Sequence, residues 1–105
     1  MRDDDYKEIA RIFFGFSDPT RLRVLMEVAH EEKCVGNVAK ALNLSVQNVS
    51  HHLRYLESLG IVEFRRYGRF VRYRANKEKI SGICSFFIEL LEGGKNTSMM
   101  SMTDT

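Results

Sequence analysis

Apolar residues recur along this chain at two different spacings, and the change between them divides it into helices and one hairpin. Ile9, Ile12, Phe13 and Phe16 lie three or four apart, which predicts a first helix over residues 6–16 with one buried face. The acidic run Asp3-Asp4-Asp5 ahead of it suits the positive end of a helix. Ser17-Asp18-Pro19 reads as a second start: a capping side chain, then proline where a missing N–H costs nothing. Leu22, Leu25, Met26 and Ala29 carry that helix toward His30, and the polar run His30-Glu31-Glu32-Lys33 ends it. Val35, Val38, Ala39 and Leu42 predict a short third helix closed by an Asn43-Leu44 turn.

Ser45 caps a fourth helix whose buried stripe is Val49, Leu53 and Leu56. The helical step places Gln47, Asn48, His51, Tyr55 and Ser58 on the opposite side. Gly60 is the expected stop, and two short helices joined by a tight turn make a helix-turn-helix. From there the period becomes two. Residues 61–67 and 69–75 alternate apolar and charged side chains around Tyr67-Gly68-Arg69, the pattern of a hairpin.

The final helix is expected over 76–92, stopped by Gly93-Gly94. Its broad stripe of Ile80, Ile83, Cys84, Phe87, Leu90 and Leu91 is widened by Phe86 and Ile88. A terminal helix apolar on more than one side needs cover from outside its own domain. With the first helix it is expected to build a two-fold homodimer through Ile9, Phe13, Ile80, Cys84, Phe87 and Leu91. Residues 95–105, rich in Ser, Thr and Met, read as a disordered tail and leave 1–94 as one domain. The expected fold is mainly α with a small antiparallel β-hairpin (α+β), a winged helix-turn-helix.

Composition changes this picture mainly through charge. The 105 residues carry a net charge of only +2. Residues 44–75, however, hold six arginines (Arg54, Arg65, Arg66, Arg69, Arg72, Arg74) against Glu57 and Glu63, a local +4 that leaves −2 elsewhere. Positive charge gathered beside a polar helix start is the electrostatic footprint of nucleic-acid binding. No apolar run approaches the roughly 20 residues of a membrane span and no charged-then-apolar leader is seen, so the chain reads as cytoplasmic, with no membrane partner. Two cysteines make neither a disulfide framework nor a four-ligand zinc pattern. His30 and Cys34 lack an orienting third group and no phosphate-binding glycine loop is present, so neither enzymatic activity nor a cofactor is expected.

Double-stranded DNA is the partner this chemistry fits. Gln47 and Asn48 can each pair with an adenine edge in the major groove, and His51 lies one turn further on. Ser45, Ser50, Arg54 and Arg65 suit the backbone, and Arg69 at the hairpin tip suits phosphate or the minor groove. His52 flanks the buried stripe and is read as packing, while Arg72 and Arg74 fit phosphate contact and ordinary exposed strand positions equally well.

Several motifs in one order carry a resemblance to a known family. They are Ser17-Asp18-Pro19-Thr20-Arg21-Leu22-Arg23-Val24-Leu25, Val49-Ser50-His51-His52-Leu53, Leu59-Gly60-Ile61-Val62 and Arg65-Arg66-Tyr67-Gly68-Arg69-Phe70-Val71-Arg72-Tyr73-Arg74. Together they resemble the ArsR/SmtB family of dimeric winged helix-turn-helix repressors. That resemblance implies a homodimer on a palindromic promoter operator, released when an inducer binds. The family often has glutamine where this chain has Val46, so the operator sequence does not carry over.

The resemblance also points to metal sites that this chain lacks. The Cys-x-Cys of the metal-responsive branch reads Cys34-Val35-Gly36 here, and the final-helix ligand positions read Lys77, Lys79, Leu90 and Gly93. No inherited metal site is therefore expected. Three readings of the cysteines stand: Cys34 and Cys84 as a redox or sulfur-reactive pair, a divergent metal site of His30, Glu31, Glu32 and Cys34, or two inert small hydrophobes. A winged-helix module that binds protein instead of DNA is the rival function.

Overall fold

The computed structural model describes residues 2–93, so the tail expected over 95–105 lies outside the described residues. Five helices and one hairpin follow in the order α1 (Asp3–Gly15), α2 (Pro19–His30), α3 (Val35–Leu42), α4 (Val46–Ser58), β1 (Val62–Tyr67), β2 (Phe70–Ala75) and α5 (Lys77–Leu91). This is the expected winged helix-turn-helix. The first helix begins three residues earlier than its apolar spacing suggested, because Asp5 accepts the Arg2 backbone N–H at 3.3 Å and the acidic run joins the first turn.

The caps are built as the sequence implied. Asp18 accepts the Arg21 N–H at 2.8 Å with Pro19 at the helix start, Ser45 accepts from Asn48 at 3.1 Å, and Asn76 accepts from Lys79 at 3.0 Å. At the end of α4 the Ile61 N–H reaches the Leu56 carbonyl and the Gly60 N–H reaches Glu57, the crossed pair of a Schellman turn. That turn needs a left-handed residue, and Gly60 supplies it at φ +78°.

The core joins α2, α3, α4 and the base of the hairpin. Val24, Val28, Val38, Val49, Leu53, Leu56 and Ile61 are almost wholly out of water, and α1 contributes Ile12. The hairpin pairs Val62 with Ala75 through Tyr67 with Phe70, which leaves a two-residue loop, Gly68-Arg69, instead of the three-residue turn expected. Gly68 at φ +63° occupies the first loop position, as a type II′ turn requires. The hairpin is also anchored at its root: the backbones of Lys33 and Tyr73 exchange hydrogen bonds of 3.0 and 2.7 Å. The wing is thus fixed against the α2–α3 connection.

α5 differs from the rest. None of its residues is fully buried, and Ile80 and Ile83 only lean on the core. Phe87 meets Phe13 of α1 edge-on at 4.8 Å, so the two outer helices touch. An apolar hollow of about 400 Å³ between α2 and α5, lined by Phe16, Leu22, Leu25, Met26, Ala29 and Ile80 among others, is left unfilled. Three residues expected at the dimer face are wholly or partly covered within the protomer itself. Ile9 is only 8% exposed, and Phe13 and Ile80 pack against the core. The most open apolar positions on these helices are Phe14 (64% exposed) and Leu91 (72%), with Tyr6 and Cys84 also exposed.

Candidate nucleic-acid interface

α4 presents its start to solvent. Ser45, Val46, Gln47, Asn48, His51 and Arg54 are all exposed, while Ser50 is half-buried on the flank. The reason is the helical step: Val49, Leu53 and Leu56 turn into the core, so their neighbours on the far side face water. The Ser45 hydroxyl is spent on the Asn48 backbone N–H, and the exposed side-chain amide of Asn48 stays available to bond elsewhere.

One expectation about this helix is corrected. Tyr55, assigned to the outer side, is half-buried and packs against the core. Arg21 holds it there: its guanidinium lies 4.6 Å over the Tyr55 ring while Nε donates to the Gly15 carbonyl at 2.7 Å. One arginine thereby ties the end of α1, the start of α2 and the flank of α4 together, a role that local periodicity does not reveal. Its only sequence signal is a cation one turn into a capped helix.

His52 faces the same seam, in agreement with its packing role. Its side chain is 12% exposed, Nε2 lies 4.0 Å from Asp18 Oδ2, and Nδ1 is buried without a hydrogen-bond partner. Desolvation lowers its pKa below the ordinary value of 6.5; Asp18 opposes the shift, and Arg21 and His51 add to it. The ring is therefore held neutral near pH 7.

The wing separates its arginines by strand pairing. Arg65 stands opposite Arg72 on one face, an arrangement that costs stability unless an anion lies nearby. Arg72 lies 5.2 Å over the Tyr67 ring and Arg66 lies 5.7 Å over Phe64, so aromatic side chains hold these charges upright. Arg74 is different: it bonds Glu63 at 3.0 Å, so its charge already has a partner within the hairpin. Arg54, Arg65, Arg66, Arg69 and Arg72 are exposed and form no ion pair among the described residues.

The cysteines lie on different elements. Cys34 is the N-cap of α3 and lines a cleft of about 550 Å³ with Glu31, Glu32, Asn37, Phe70 and Arg72. Cys84 is exposed on α5. His30 does not join Cys34, because its Nδ1 bonds the Met26 carbonyl at 2.6 Å. Among the described residues no three His, Cys, Asp or Glu side chains converge as a metal site would need, so the divergent metal site is not assembled. No helix of the described residues is long and apolar enough to cross a membrane.

Known proteins share this geometry. A family model described as bacterial regulatory protein, arsR family, matches residues 18–63. An ArsR-like transcriptional regulator from Rhodococcus sp. RHA1 superposes with a TM-score of 0.79 at 30% identity, over 84% of this chain and 83% of that one. The chain belongs to the ArsR family. Among ArsR-family relatives, the transcriptional repressor SmtB homolog of Synechocystis is 41% identical over 73 residues, which cover 70% of this chain and 55% of the relative. The match thus spans little more than half of that protein's length. A homodimeric winged helix-turn-helix DNA-binding domain from Mycobacterium bovis, described as a possible ArsR-family regulator, has a TM-score of 0.69 at 25% identity, covering 93% of this chain and 92% of its own.

Proposed function

We propose that this ArsR-family protein is a transcriptional repressor that binds a palindromic operator as a homodimer and leaves it when an inducer binds. The observation that carries the reading is the pairing of an exposed polar helix start with five exposed arginines that have no ionic partner among the described residues. Such charges favour a polyanion, and Gln47, Asn48 and His51 supply hydrogen-bonding groups for base edges. The anchored wing holds its cations at a fixed angle to α4, so Arg65 and Arg69 can grip the backbone beside the groove that α4 enters. Ser45, Ser50 and Arg54 would set the register.

The dimer follows from α5. Phe87 of α5 meets Phe13 of α1 and is only half-buried, while Cys84 and Leu91 of α5 and Phe14 of α1 are exposed, so the protomer leaves these apolar side chains partly uncovered. A two-fold pairing there would place the two α4 helices about 34 Å apart, one turn of DNA. The similarity to a homodimeric domain supports the same arrangement. A protein-binding module would have less use for a wing whose arginines stand opposite one another.

Fluorescence anisotropy on the protein's own promoter against scrambled duplex, over a salt series, tests the reading. Steep salt dependence with promoter preference supports it, and equal affinity for both duplexes would overturn it. The inducer candidate is a thiol-reactive oxidant or sulfur species acting at Cys34 or Cys84. Operator binding unchanged by peroxide and polysulfide, in the wild type and in Cys34→Ser and Cys84→Ser, would remove it.

A further inference from the structure

The first residue of α4 is a valine that nothing in the protomer explains. Val46 is 51% exposed and belongs neither to the core nor to the side chains packed against it. A β-branched side chain also loses rotamer freedom in a helix, so helix formation does not favour it. Its neighbours are polar and exposed: Ser45, whose hydroxyl holds the Asn48 N–H, and then Gln47 and Asn48. One turn on, Ser50 follows it along the same flank.

Resting on the DNA-binding reading, we propose that Val46 is a specificity-determining residue that recognises the C5-methyl group of a thymine in each operator half-site. Residues at the start of a recognition helix meet the floor of the major groove. There thymine alone among the four bases carries a methyl group, while the other edges show only donors and acceptors. An isopropyl group set against a polar edge would strip its water and return no hydrogen bond, so Val46 disfavours cytosine and guanine at that place. Gln47 beside it can bond the N6 and N7 edge of adenine. The half-site thus holds a thymine facing Val46 next to an adenine facing Gln47.

The test uses the full chain and the segment of its own promoter that hydroxyl-radical footprinting protects. Each thymine of that duplex is replaced in turn by deoxyuridine, which removes the methyl group and leaves base pairing intact. For the wild type, one thymine in each half-site should give a loss of about four-fold in affinity, the worth of one buried methyl group. Val46→Ala should bind the parent duplex more weakly and no longer distinguish thymine from deoxyuridine at that position. Val46→Thr, which keeps one methyl, should retain the distinction. Promoter preference with no methyl dependence, or the same dependence in Val46→Ala, overturns the assignment alone. Equal binding to promoter and scrambled DNA overturns the DNA reading and the assignment with it.

Discussion

The helix-turn-helix and the α1–α5 pair are built from similar apolar content but are finished to different degrees. In the former, α2, α3 and α4 bury Val24, Val38, Val49, Leu53 and Leu56 completely, and the wing is bonded to the same block through Lys33 and Tyr73. In the latter, α5 buries no residue fully, Leu91 and Phe14 face water, and a hollow is left against α2. A block that satisfies itself can carry polar and cationic side chains outward at fixed positions. A pair that does not satisfy itself is a surface awaiting a second one. On the proposed reading, recognition falls to one region and assembly to the other.

The largest test of that division is on the closed side. Leu53→Ala should cost about 2–5 kcal/mol of folding stability in urea titration, the usual penalty for a cavity in a sealed core. A cost near that of a surface substitution would mean that the block is not closed. On the open side, Phe87→Glu should convert a dimer to a monomer by sedimentation. Operator affinity should then fall on the order of 100-fold or more, since two half-sites no longer bind as a linked pair. A dimer that persists would place assembly elsewhere.

Within the recognition block the effects are smaller. Arg65→Ala or Arg69→Ala should weaken binding to operator and scrambled duplex alike and reduce the salt slope by about 0.9 for each phosphate that is no longer neutralised. Arg74→Ala should leave the slope unchanged, because Glu63 already neutralises that charge. A drop in slope at Arg74 would show that the ion pair opens on DNA.

The smallest effect concerns the α2–α4 seam. His52 has a folded-state pKa below its unfolded value of 6.5, so the unfolded chain takes up its proton first. The neutral ring's contribution is therefore complete above pH 6.5 and is lost as the pH falls through the lowered folded pKa. Thermal melts from about pH 7.5 down to about pH 5.5 should show a steeper decline for the wild type than for His52→Gln. Parallel declines would mean that burial of this ring does not couple to folding.

Much of the fold was legible because its signals are local. Asp18-Pro19, Ser45 and Gly60 each act through hydrogen bonds spanning a few residues, and the period change after Gly60 marks the hairpin. The candidate interface was legible in part. Gln47, Asn48, His51 and Ser58 face outward as their spacing required, but Tyr55 does not, because an arginine 34 positions away in sequence covers it. Arg72 and Arg74 looked equivalent in the strand, and only the register set Glu63 opposite Arg74 and Arg65 opposite Arg72.

By itself, the sequence determined where α2, α3 and α4 begin and end, which face of α4 is apolar, and that positive charge gathers in residues 44–75. These properties depend on neighbours within one or two turns, so a linear reading reaches them. The tertiary structure decided which arginines are left to bind an anion, which histidine is held neutral, and which apolar residues face outward on α1 and α5. Those outcomes depend on distances between segments far apart in the chain, where one ion pair or one covering side chain changes the chemistry of a residue without changing its place in the pattern.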